Sequence, residues 1–258
     1  MRLMKRILSA AAVLALSASL LVGCSSGTTS SVPVSASSAA ESTVSSVEET
    51  ASSAVDENEA AAAQLLNDLT GSYQELWPVI LADEYQQTWL DDCTALVGEE
   101  NAEAAFEKLS SMVTGDVYGE DAVEAYANGG GAYFCGFTND LATLTFDGET
   151  STISGTDKDG NVLFSHTYHY IGMEPVRGLY EFQSDDADSG EFTYFFLAPD
   201  TSAETYHIEF RYGSDAEALS QYDAGEYAYW LASGISTDCD QTMIDNCIEL
   251  FCTENLAG

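Results

Sequence analysis

Positive charge is what this sequence has least of. Its 258 residues carry 7 Lys+Arg against 43 Asp+Glu, a formal net charge of −36. Nucleic acid and anionic lipid headgroups are bound through cationic surface, so neither is expected as a partner. Histidine is scarce as well, with three: His166, His169 and His207. None stands in a readable Ser/His/Asp arrangement, and no glycine-rich phosphate loop is present, so an enzyme is not expected. No two cysteines have the CxxC spacing of a zinc or dithiol redox site. Beyond the first 22 residues there is no apolar run of the roughly 20 residues that a membrane-spanning helix needs.

What is present begins at the N-terminus. Arg2, Lys5 and Arg6 precede an apolar stretch from Ile7 to Val22, which ends in Leu21-Val22-Gly23-Cys24. A basic start, a short apolar core and small residues before a cut site form a secretory signal. The four closing residues resemble a lipobox, which implies lipidation of Cys24 as the first residue of the mature chain. Residues 1–23 are therefore expected to be a lipoprotein signal peptide. The protein is expected to be extracytoplasmic and lipid-anchored to the cell membrane, touching the membrane through the lipid anchor only. Removing the three signal cations from the seven leaves 4 basic residues against 43 acidic ones, a net charge of −39. Residues 24–58 are Ser, Thr, Ala, Val and Glu with almost no large side chains. Such a segment cannot offset its ordering entropy and reads as a disordered tether. Residues 59–258 are long enough and aromatic enough for one domain with a real core. That domain holds five cysteines, Cys93, Cys135, Cys239, Cys247 and Cys252, read here as small buried apolar residues.

The domain opens with helical signals. Glu59–Leu69 is Ala-rich, and Gly71 breaks it. Ser72-Tyr73-Gln74-Glu75 has the form of a capping box. Leu76, Trp77, Ile80, Leu81, Tyr85, Trp89 and Leu96 then follow at helical spacings, with Pro78 in the first turns, where it costs least. Further helices are expected near 99–112 and 119–127. The period then changes to two. Strands are expected at 141–146, 150–155, 162–170, 178–183, 192–197 and 205–212, with Asp147-Gly148 as a hairpin turn. Helices return at 215–222, 226–231 and 238–252. Helices, then antiparallel strands, then helices give an α+β class built on a barrel or sandwich.

Two polar clusters merit a chemical reading. Asp157-Lys158-Asp159-Gly160-Asn161 looks like the start of a calcium loop, but the twelfth position is Tyr168 rather than a bidentate Glu, and the flanks are strands. It reads as a hairpin turn. His166 and His169, three apart on one strand, face opposite sides and do not share a metal. In Thr205-Tyr206-His207-Ile208-Glu209-Phe210, period two sets Thr205, His207 and Glu209 on one face. Turned into a barrel, that face is the expected site for a metal ion or polar ligand.

From Leu69 onward the chain resembles the ZinT (YodA) family, also found as the C-terminal domain of AdcA-type zinc-binding lipoproteins. The resemblance is carried by Leu69-Thr70-Gly71-Ser72-Tyr73-Gln74-Glu75-Leu76-Trp77-Pro78, Leu179-Tyr180-Glu181-Phe182, Phe195-Phe196-Leu197-Ala198-Pro199, the run from Tyr206 to Asp215, and Tyr229-Trp230. It implies a lipocalin-like antiparallel β-barrel with N-terminal and C-terminal helices, and a zinc-binding role that supports zinc handling or uptake with metal-uptake transporter components as partners. The three histidines of the family site fall on Phe195, Thr205 and His207. Only His207 is kept, and Glu209 offers an oxygen from the same face. Zinc at a closed site takes about four ligands, so this reduced set suits a weaker site or another divalent metal ion. The alternative is a metal-free lipocalin-like module, with Phe195 favouring a small organic ligand, or a module that binds a surface partner.

Overall fold

Thr143 and Thr145 alternate with Leu144 and Phe146, and that alternation is the pattern of a strand with one face in a core. In the computed structural model, which describes residues 57–199 and 207–257, this segment is one of eight strands. They are β1 (Gly71–Glu75), β2 (Thr143–Asp147), β3 (Thr152–Thr156), β4 (Val162–Met173), β5 (Tyr180–Ser184), β6 (Tyr194–Leu197), β7 (Ile208–Gly213) and β8 (Ala232–Ser236). Each pairs antiparallel with the next, and β1 pairs with β8, so the sheet closes on itself in the order of the sequence. The α+β class and the lipocalin-like barrel with helices before and after it are as expected.

Rings fill the barrel. Phe146, Phe182, Phe195, Phe210 and Tyr212 are at most 1 % exposed. Phe195 lies opposite Tyr212 in the β6–β7 register and Leu197 opposite Phe210. Tyr212, Phe164 and Tyr168 surround Phe195 at centroid distances of 5.3, 5.9 and 5.4 Å. Tyr212 Oη donates to Thr138 O at 2.9 Å and accepts from Thr138 N, so the phenol enters the core with its polar end satisfied.

The helices are α1 (57–68), α2 (Leu76–Ile80), α3 (Gln86–Val97), α4 (Ala102–Val113), α5 (Glu120–Ala127), α6 (Ala216–Leu219) and α7 (Gln241–Leu256). Helix α1 sets Ala62, Leu65 and Leu66 against the barrel core. Its backbone lies so close to the β2–β3 turn that a Cβ on Gly148 would stand 2.4 Å from Asn67 Cα. That approach requires the glycine. Helices α2, α3, α4 and α7 build a second core around Trp77, Trp89 and Leu109, joined by Ile235 of β8.

Four details differ from the sequence pattern. Ser72–Glu75 is part of β1, not a helix cap; Ser72 Oγ bonds Thr145 Oγ1 across the sheet at 2.8 Å. The long amphipathic helix is divided into α2 and α3 by a 3-10 turn at Asp83–Tyr85. Residues 226–231 form turns and an irregular bridge, and the strand β8 follows them. Helix α6 is shorter than expected, at four residues. The Asp157–Asn161 segment is the expected hairpin turn. Asp157 Oδ1 accepts from Asp159 N and Asn161 N, and Oδ2 from Asn161 Nδ2, which uses the carboxylate within the turn.

Candidate functional site

Strand β7 divides its side chains by parity. Ile208, Phe210 and Tyr212 belong to the aromatic barrel core. His207, just before the strand, Glu209 and Arg211 therefore lie on the outer face, and this corrects the expected inward polar face. The physical reason is volume: rings from neighbouring strands fill the interior and leave no room for solvated polar groups. Phe195 is likewise no part of an open ligand site. It is 0 % exposed within that core. Thr205 and Cys24 lie outside the described residues.

Outside the barrel, His207 Nε2 is 3.9 Å from Glu209 Oε1, with the two side chains 19 % and 35 % exposed. Cys247 of α7 lies beside the ring and favours its protonated form. Burial of the ring works against its charge. The hydrogen bonds and electrostatic attraction from Cys247 and Glu209 outweigh that and hold the imidazole well above its ordinary value. Burial raises Glu209, but His207 and, less strongly, the Arg177 guanidinium overcome it and leave the carboxyl below its usual range. Each group thus favours the charged form of the other.

Around this pair the outer wall carries unusual polar chemistry. Burial pushes the Cys135 thiol up to about 12, and Glu209 adds to the rise. Arg211, 0 % exposed, has carbonyl partners: it donates to Leu219 O, Gln221 O and Tyr227 O. Its guanidinium and that of Arg177 lie 4.4 and 4.2 Å from the Tyr222 ring centroid. Arg211 therefore clamps the 219–227 segment onto β7. Its one signal in the sequence is a cation inside an aromatic strand.

The other two histidines are engaged separately. His166 Nδ1 is 2.7 Å from Asp186 Oδ2, and His169 Nδ1 is 2.6 Å from Asp185 Oδ1. Each has its own carboxylate, consistent with opposite faces. Among the described residues no three His, Cys, Asp or Glu side chains are grouped so as to hold a metal ion. A cavity of about 330 Å³ lies between the barrel and the helices, lined in part by Glu75, Trp77, Phe134 and Cys135. Trp77 Nε1, buried beside it, has no hydrogen-bond partner.

No protein-family description and no curated protein matches this chain. In structure the chain is similar to the Zn(II)-bound ZinT-like domain of Streptococcus pneumoniae AdcA, at 17 % identity and a TM-score of 0.45, over 71 % of this chain and 89 % of that one. It is also similar to Zn(II)-bound AdcA from Streptococcus pneumoniae, at 16 % identity and a TM-score of 0.41, over 75 % of this chain and 35 % of that one.

Proposed function

We propose that this protein is an exported, lipid-anchored divalent-metal-binding protein, with zinc as its cargo and a reduced ligand set centred on His207. The observation that carries the reading is the His207–Glu209 pair on the outer wall of the barrel, 3.9 Å apart and backed by Cys247. Imidazole, carboxylate and thiol are all zinc donors. The described residues fall short of a closed zinc site, since no three such groups close on one point. The ion would keep water in its shell and bind more weakly than at a structural site. It must also displace the proton that Glu209 helps to hold on His207, as metal ligation of imidazole requires. The lipobox-like Cys24 and the net charge of −39 support a role outside the cytoplasm in handling cations.

The test is isothermal titration of the chain lacking residues 1–24 with Zn²⁺. Binding tighter than millimolar is expected, with at least a tenfold loss in His207→Ala and a smaller loss in Glu209→Gln. Absence of binding tighter than millimolar sinks the metal reading.

One observation favours a second reading, a module for a small organic ligand. The cavity beside Glu75 and Trp77 combines aromatic walls with the Glu75 carboxylate. Its volume is at the lower end for ligand pockets, roughly 300–1,000 Å³. A co-purified organic molecule in a native mass spectrum, lost in Trp77→Ala, is the outcome that reading expects.

A further inference from the structure

All five cysteines of the domain belong to the helical core or pack against it, and none belongs to the barrel core. Four are at most 7 % exposed. Two of these come from elements far apart in the chain. Cys93 of α3 and Cys252 of α7 are 159 positions apart, yet their sulfurs are 3.9 Å from each other. Both residues are 0 % exposed. We infer that Cys93 and Cys252 are a cross-linking site, joined by a disulfide bond that ties α3 to α7 when the protein meets an oxidant of the disulfide class.

Two considerations support the cross-link, and one bears on when it can form. The two helices already bring the sulfurs to 3.9 Å, about 1.9 Å more than the roughly 2.0 Å of a disulfide bond. The interface they share also lacks opposite charge. On α3, burial raises the Asp92 carboxyl, and Glu249 and Asp245 of α7 raise it further together with Asp91. Asp92 Oδ2 is buried without a hydrogen-bond partner. Asp92 also raises both thiols, so these acids disfavour the thiolate in the folded protein and bear on when the bond can form. Finally, the bond would close a loop of about 160 residues across most of the domain, and the entropic effect on the unfolded chain grows with loop length.

The chemistry balances with a disulfide R–S–S–R, either a small molecule or an oxidised dithiol oxidoreductase. One cysteine, as thiolate, attacks the oxidant and forms a mixed disulfide, releasing R–S⁻. The second, as thiolate, attacks the protein sulfur of that mixed disulfide and releases the other R–S⁻. The two protons of the cysteines end on the two R–SH products, and two electrons pass to the oxidant. Burial raises both thiols in the folded protein, so they are poor nucleophiles there. The bond forms while the helices are still closing. The export reading matters only for where the oxidant is met.

The purified chain lacking residues 1–24 is unfolded, reduced and refolded in glutathione buffers of oxidised or reduced poise, then alkylated and mapped by peptide mass. The expected result from the oxidised buffer is a linked pair of peptides containing Cys93 and Cys252, three alkylated cysteines, and a melting temperature several degrees above that of the reduced product. The double variant Cys93→Ala/Cys252→Ala is expected to melt at one temperature in both buffers. Five alkylated cysteines after oxidative refolding, or a link between any other pair, overturns the inference. So does a linked product that melts no higher than the reduced one.

Discussion

The two cores of this protein differ in what they are made of. The barrel core joins a run of Phe and Tyr rings and Trp230 to Leu, Ile and Ala side chains and holds no cysteine, enclosed by a sheet that pairs every strand with two neighbours. The helical core rests on two tryptophans, several aliphatic side chains and all the thiols. It borders the charged and titrating groups: Asp92 on α3 and, around Cys247 and Cys135, the His207–Glu209 pair. The barrel core therefore holds no thiol and no titrating His or carboxylate, and the His207–Glu209 pair lies on the barrel's outer face. Redox state can act in the helical layer, and pH there and on the barrel's outer face.

That contrast can be broken most severely inside the barrel. Phe195→Ala removes a ring that touches Phe164, Tyr168, Phe210 and Tyr212. Truncating a buried Phe costs about 3–5 kcal/mol, and urea unfolding should show that loss equally in oxidising and reducing buffer. A loss that depends on reductant would mean the two cores are not distinct in this sense. Arg211→Met comes next. It keeps the apolar stem but leaves the carbonyls of Leu219, Gln221 and Tyr227 without their donor. An unsatisfied buried acceptor costs about 1–3 kcal/mol, and faster hydrogen exchange should appear in 219–227 before it appears in the barrel strands.

The smallest effect belongs to the helical layer and has the opposite sign. Asp92 is raised in the folded protein, so the folded state binds its proton more readily than the unfolded chain. Its charge therefore lowers stability above its folded pKa, and the penalty disappears as the pH falls through that value towards the ordinary carboxylate range. Asp92→Asn is expected to raise the melting temperature at pH 7 and to make little difference near pH 4. An equal change at both pH values would remove the electrostatic explanation.

Much of the fold could be read from the sequence, because period two and Asp-Gly turns are local signals. Strands β2 to β7 and the Asp147 and Asp157 turns all lie where those signals fall. The two strands that were not read, β1 and β8, are the pair that closes the barrel. Gly71–Glu75 is polar and has the spacing of a helix cap. Ala232–Ser236 is made of small residues with no alternation. Neither has a strand preference of its own, and each takes its form from its neighbours in the sheet.

The candidate site was legible to the same extent. His207 and Glu209 share a face because parity is a property of the backbone, and the sequence alone determined that. Which side of the sheet the face would be on depended on which set of side chains the closed barrel could hold. The rings of Phe195, Phe210 and Tyr212 occupy the interior, and the imidazole and carboxylate were left outside, against α7 and Cys247. The meeting of Cys93 with Cys252 is of the same kind. No local pattern relates residues 159 apart, and only the packing of α3 on α7 brings their sulfurs into contact.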